Sequence, residues 1–287
     1  MARIVFVTDS ASDLDPVVAR SAGIHVVPLV VTFGSESFRT GVEMSNEEFW
    51  QRMTAPDAPF PKTAAASPGD VKSIYDGIFA EGADAIVSVH VAGSLSGAIK
   101  SAEVARGMLP DREIHVVDSQ GASMAESILC FLGQEMAAAG SSAEEIADAL
   151  TERANDLRMV VSLETLEYLK RGGRVSGTQA AIGTILSIKP IIAVEHGMVE
   201  TADRPRTRSK SRERCLEIIT ERPIERAAIL HTIVSHDLSE VEAFKSEVVA
   251  RAGLDPDDVS ISIVGSSVGP HLGPGCLGAA VLYSAES

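Results

Sequence analysis

Apolar residues fall in short runs separated by polar turns, and two spacings alternate along the first half of the chain. "RIVFVTDS" (3–10), "IHVVPLVVTF" (24–33), "DAIVSVHV" (84–91) and "REIHVVDS" (112–119) are dense in β-branched residues. Each is short and ends in polar residues, which predicts buried or extended strands. Between them, "PGDVKSIYDGIFAEG" (68–82), "SGAIKSAEVARGM" (96–108) and "SMAESILCFLGQEMAAAG" (123–140) carry helical spacing. "SSAEEIADALTERAND" (141–156) follows as a helix, with Ser142 placed as N-cap and acids in its first turn. Strands alternating with helices predict a mostly parallel sheet flanked by helices.

The second half differs. "RMVVSL" (158–163) and "IKPIIAVEHGMVE" (188–200) read as strands on either side of "LEYLKRGGRVSGTQAAIGTIL" (166–186). Helices are expected over 211–221 and 237–253, and strands over 226–233, 259–265 and 277–284. The change of pattern sets a domain boundary near 155–160, giving an α/β domain over 1–156 and a smaller α/β domain over 157–287.

Composition narrows the function. Lys plus Arg number 25 against 40 Asp plus Glu, a net charge of −15, which suits neither nucleic acid nor anionic membrane. Aromatics make up 4% of the chain, so any cavity must be walled by aliphatic side chains. Cys130, Cys215 and Cys276 are widely spaced with no CxxC, which fits neither a disulfide framework nor a zinc site. The apolar run "AAIGTILSIKPIIAV" is broken by Lys189-Pro190 and too short to cross a bilayer. The opening "MARIVFVTDS" enters a strand directly, and a cytoplasmic protein without a signal peptide is expected.

Candidate chemistry gathers where strands turn into helices, the usual ligand edge of open α/β sheets. "TDSASD" (8–13), "KTAAASPGD" (62–70), "AGSLSGAIKSA" (92–102) and "VVDSQGAS" (116–123) offer Ser10, Thr63, Ser94, Ser96, Gly97, Asp118 and Ser119. Hydroxyls beside helix N-termini form an anion site with little formal charge. Taken singly, Ser67, Ser96 and Ser119 also read as helix caps, whereas Thr63 sits too far ahead of its helix to cap it. "GSLSG" is no nucleophile elbow, because Leu95 stands where the serine belongs. Neither a Walker loop nor G-x-G-x-x-G follows a strand. The seven histidines (25, 90, 115, 196, 231, 236 and 271) form no metal-binding pattern. His271 stands apart because "GPHLGPG" (269–275) encloses it between Gly-Pro pairs, predicting a shaped loop. By itself that leaves open a base, a metal ligand or a hydrogen-bond donor. "RPRTRSKSRER" (204–214), with Arg204, Arg206 and Arg208, and "YLKRGGR" (168–174), with Arg174, reverse the local charge. A solvated surface or a docking face for a partner would account for them.

Taken in order, "VTDSASDL", "VVPLVVTFGSESFRTGVEMSNEEFW", "PKTAAASPGD", "GSLSGAIKSA", "VVDSQGASMAES", "LEYLKRGGRVSG", "IKPIIAVEHGMV" and "GPHLGPGCLG" resemble the DegV family of bacterial fatty-acid-binding proteins. The resemblance implies two α/β domains with one long-chain fatty acid in an apolar tunnel between them. It places the carboxylate on Thr63, Ser96 and His271, with Gly97 beside Ser96, and the strand-end residues Ser10, Ser94, Asp118 and Ser119 are expected around them. It further implies a non-catalytic carrier that presents the acid to a separate ATP-binding kinase subunit for acyl-phosphate formation. Arg174, Arg204, Arg206 and Arg208 would then dock that subunit. No cofactor, metal or nucleic acid and no stable membrane insertion is implied. The family pattern Thr-Ser-Gln-Pro-Ser is altered here to Thr63-Ala64-Ala65-Ala66-Ser67, and a Ser-Ser pair to Ala92-Gly93. Thr-Tyr after the Leu-Ser-Gly motif is replaced by Ala98-Ile99. The rival readings are a Ser/His hydrolase or acyltransferase using Ser96, His271 and Asp9 or Asp118, and a lipid-sensing regulator.

Overall fold

The computed structural model describes residues 2–174, 188–235 and 237–285. The remainder of the 166–186 stretch beyond Arg174, and His236, therefore lie outside the described residues. Strands β1 (Ile4–Asp9), β2 (Ile24–Val27), β6 (Ala85–His90) and β7 (Glu113–Asp118) form a parallel sheet in the order β2-β1-β6-β7. Every residue of β6 is buried, which is why its sequence is a continuous apolar run broken only by Ser88 and His90. Helices α1 (Pro16–Ala22), α3 (Pro68–Ala80), α4 (Ala98–Gly107), α5 (Met124–Ala138) and α6 (Ala143–Arg153) connect and flank these strands. Ser67 and Ser142 cap α3 and α6, their hydroxyls accepting the amides of Asp70 and Glu145.

The expected extended segment 24–33 breaks in two. Pro28 lacks an N–H and cannot continue the β1 ladder, so the chain leaves after Val27. β3 (Val30–Phe33) instead joins β4 (Glu36–Arg39) and β5 (Lys62–Ala64) in an antiparallel sheet. A helix absent from the sequence reading, α2 (Asn46–Met53), backs that sheet. A capping box, Ser45 with Glu48, starts it.

From Leu157 onward every described strand belongs to one six-stranded sheet. β8 (Leu157–Ser162), β9 (Ile191–Glu195), β10 (Met198–Asp203), β11 (Ile224–His231), β12 (Ser260–Ile263) and β13 (Leu277–Tyr283) run in the order β10-β9-β8-β13-β11-β12. All pairs are antiparallel except β11–β12. The expected single strand 188–200 is a hairpin, because His196 and Gly197 take φ of 49° and 72° and reverse the chain. Helix α8 (Arg208–Ile219) begins before the expected residue 211, capped by Thr207. With α9 (Ser239–Ala252) it covers one face of the sheet through Val160, Ala193, Ile229 and Val281.

The opposite face carries Met159, Val161, Ile192, Val194, Leu230 and Ala280, and joins the core of the first half. α5 lies between the two sheets, touching β1 on one side and β11 and β13 on the other. Its sequence is apolar nearly all round for that reason. α7 (Glu167–Gly172) and α10 (Gly269–Leu272) sit together beyond the Ser162 end of β8. "GPHLGPG" is thus not wholly a loop: it opens as one helical turn. Pro270 occupies the first turn, where a missing N–H has no consequence. Gly273, at φ 72°, ends the turn with its amide on the Gly269 carbonyl.

Candidate functional site

α5 covers only part of the sheet face, and a cavity of about 700 Å³, counted to its open mouth, remains beside it. Met159, Ile192, Val194 and Val199 line it from β8, β9 and β10. Ala11, Leu29, Val91, Leu95 and Ala122 line it from the strand ends of the first half, and Leu169, Val268 and Leu272 from α7 and the α10 segment. Among the described residues, the polar side chains on its wall are Thr63, Ser96, Arg174, Ser267 and His271, with the Gly97 backbone beside them.

β5 brings Thr63 to the cavity opposite Val31 of β3. Its Oγ1 lies 3.3 Å from His271 Nε2, so the first and last motifs of the chain meet. His271 Nδ1 is buried without a partner. Burial, with the nearby Arg174 guanidinium adding to it, pushes the imidazole down to about 4, so it is neutral at pH 7. Arg174 lies on the turn after α7, where Gly173 adopts φ 73°. The amides of Arg174 and Gly173 return to the carbonyls of Leu169 and Lys170, a Schellman closure that turns the chain back toward the cavity. Arg174 Nε donates to the Leu95 carbonyl at 3.1 Å and Nη1 to the Gly172 carbonyl at 2.7 Å. This ties the cation to the segment bearing Ser96. Ser96 Oγ accepts the Ala98 amide at 3.2 Å, and Gly97, not Ser96, is the N-cap of α4.

The residues expected around this cluster are placed less uniformly. Ser10 stands behind the wall, its hydroxyl against those of Thr40 and, at 3.0 Å, Ser267, while accepting the Leu29 amide. Ser94 does not face the cavity; it donates to the Gly197 carbonyl and fastens the β9–β10 hairpin tip to the first half. Asp118 accepts the amides of Gly93 and Gln120 and builds the turn after β7. Ser119 is buried in that same turn against Gly121. These three hydrogen-bond to loop backbone and do not line the cavity. Ser267 was not anticipated, nor was the exposure of Ala64 and Ala65 to the cavity. The altered motif therefore changes the wall itself.

A hydrolytic triad would need a carboxylate on His271 Nδ1. Asp118 is engaged as described, and Asp9 is buried in a separate hydrogen-bond relay. Its Oδ2 lies 2.9 Å from His90 Nδ1, and His90 Nε2 meets Ser88, which accepts from Tyr75. No group of metal-ligating side chains occurs among the described residues.

The basic stretch 204–214 does not form one cationic face. Arg212 is buried, donating to the carbonyls of Ser162, Gly275 and Leu277 and pairing with Glu240. Arg208 pairs with Glu240 and Glu164, and Arg214 with Asp203 and Glu217. Arg204 and Arg206 are exposed and have no ion pair among the described residues. Arg174 belongs to the cavity wall, since backbone carbonyls of Leu95 and Gly172 draw it inward. No described helix is long and apolar enough to cross a membrane.

Comparison with known proteins agrees with this architecture. A family model described as "Uncharacterised protein, DegV family" matches residues 3–284. A DegV domain-containing protein of Streptomyces coelicolor is 32% identical, covering 97% of this chain and 98% of its own. One from Caldanaerobacter subterraneus subsp. tengcongensis is 30% identical over the same shares. A fatty-acid-binding DegV family protein from Thermus thermophilus superposes with TM-score 0.88 at 35% identity, over 98% of this chain and 100% of that one. A stearic-acid-binding protein from Eubacterium ventriosum superposes with TM-score 0.87 at 27% identity, over 99% and 98%. The chain belongs to the DegV family.

Proposed function

We propose that this protein binds one long-chain fatty acid in the cavity between its two larger sheets, held by domains spanning 1–156 and 157–287. The observation that carries the reading is an aliphatic cavity with a small polar cluster contributed from both halves of the chain. Each buried methylene contributes about 0.8 kcal/mol, so the alkyl chain supplies most of the affinity. The carboxylate then needs hydrogen bonds, because an unpaired buried charge is costly. Thr63, Ser96, the Gly97 backbone and the neutral His271 supply them, and Arg174 adds the positive charge that the hydroxyls lack. The relatives named as fatty-acid-binding support the same ligand class.

The protein acts as a carrier, presenting the acid to a separate ATP-dependent kinase subunit in the bacterial cytoplasm. A carboxylate oxygen attacks the γ-phosphorus of ATP, the bond to the ADP oxygen breaks, and acyl phosphate and ADP leave. Hydroxyl and imidazole contacts leave that oxygen accessible. Arg204 and Arg206 remain candidates for docking the kinase, whereas the ion pairs of Arg208 weaken its claim. Native mass spectrometry of protein purified from bacteria tests the ligand: one co-purified C14–C18 acid per chain is expected. Protein that emerges empty and ignores added fatty acids overturns the reading.

A further inference from the structure

The imidazole of His271 is held from two sides. Thr63 faces Nε2, and the last residue of α7, Gly172, faces the opposite edge. A Cβ built on Gly172 would overlap Nδ1 and stand 2.8 Å from Cε1 and 3.2 Å from Cγ. Any side chain there would have to displace the ring. Gly172 needs no unusual backbone conformation, since the positive φ belongs to Gly173. Its lack of a side chain therefore serves the approach of α7 to α10.

That approach also sets which nitrogen carries the proton. Nδ1 is buried against the helix end and has no partner. A proton on it would leave a costly unpaired buried N–H, whereas an unpaired lone pair is tolerated better. The proton accordingly resides on Nε2, where it can be donated toward Thr63 and the cavity. The Gly172 carbonyl meanwhile accepts Arg174 Nη1 at 2.7 Å, so one residue supports both the imidazole and the guanidinium.

We propose that Gly172 is a positioning residue of the ligand site. By leaving no side chain between α7 and α10, it seats His271 with Nε2–H toward the cavity. Its carbonyl holds Arg174 on the same wall. The inference rests on the carboxylate reading only where it speaks of ligand affinity.

Gly172→Ala tests it through two readouts. Imidazole nitrogen NMR of the ligand-free protein should show His271 losing the uniform Nε2–H form and titrating nearer the ordinary histidine value. Palmitate affinity should fall roughly tenfold, equivalent to about 1.4 kcal/mol. The double variant Gly172→Ala with His271→Ala should bind no worse than His271→Ala alone. An unchanged imidazole titration and unchanged affinity, with only a lowered melting temperature, would overturn the proposal. If Gly172→Ala does not fold, the double variant should fold because the ring is gone; failure of both also overturns it. Should wild-type protein take up no fatty acid while Gly172→Ala still shifts the titration, the carrier reading falls and the positioning role stands.

Discussion

Thr63 Oγ1 and His271 Nε2 lie 3.3 Å apart, although 208 residues of chain separate them. The contact joins the edge strand of the small antiparallel sheet to the helical turn that precedes the last strand. Each side chain alone is an ordinary polar group; together they put a donor pair on an apolar wall. Thr63→Val keeps the shape and removes the hydroxyl. It should weaken fatty-acid binding roughly tenfold, consistent with loss of a hydrogen bond to a charged group. Combined with His271→Ala, it should show a coupling of about 0.5–3 kcal/mol in a double-mutant cycle. Competition with a fluorescent fatty acid measures both, and strictly additive losses would place the head group elsewhere.

The same histidine makes a pH prediction. Its folded value, about 4, lies below the ordinary 6.5, chiefly through burial. In that window the unfolded chain binds the proton and the folded chain does not, so stability rises with pH. The contribution is complete above pH 6.5 and is lost as pH falls toward 4. His271→Gln removes the titration. The stability gap between wild type and this variant should therefore shift toward the variant from pH 7 to pH 4.5, read by urea unfolding. A gap that does not move would mean the imidazole titrates alike in the folded and unfolded chain.

Asp13 carries the opposite sign. Burial pushes its carboxyl up to about 7, against the hydrogen bonds from Ser123 and Gly265, with Asp9 adding repulsion. Gly265 N reaches it at 2.8 Å and Ser123 Oγ at 2.5 Å, while Ser262 Oγ donates to its backbone carbonyl. The folded chain holds this proton longer than the unfolded one. Asp13 thus favours folding below its unfolded value of about 3.8, and that advantage is lost as pH rises through 7. Asp13→Asn should therefore raise the urea midpoint relative to wild type more at pH 8 than at pH 5. The reverse order would show that the ionised carboxylate is what Gly265 and Ser123 hold.

What the sequence made legible follows from the range of each interaction. Strands such as 84–91 and caps such as Ser67 and Ser142 are written within a few residues, and their periodicity and hydroxyls sufficed. Thr63, Ser96 and His271 could be singled out by turn chemistry and by resemblance. Their meeting could not be read from composition, because it depends on β5 pairing with β3 and on α10 packing against α7. The aliphatic wall was equally hidden: Met159, Val194 and Val199 face one another only through register. Basic residues misled for the converse reason. Arg212 looks like its neighbours in sequence, yet the carbonyls that hold it lie at Ser162, Gly275 and Leu277.

That distinction among the arginines supplies a final prediction. Arg204 and Arg206 are exposed and unpaired among the described residues, while Arg208 and Arg214 already spend their charge on Glu240, Glu164, Asp203 and Glu217. Exposed pairs contribute little to stability, so reversing a free surface charge should barely change folding. A charged partner approaching from solution would feel the unpaired cations most, through its rate of association. Arg204→Glu with Arg206→Glu should leave palmitate binding within about twofold, a change of roughly 0.4 kcal/mol. With a fatty acid kinase and ATP supplied, the same variant should lose acyl-phosphate formation, and the wild-type rate should fall as salt rises. Phosphorylation that persists at the wild-type rate would remove Arg204 and Arg206 from the docking face.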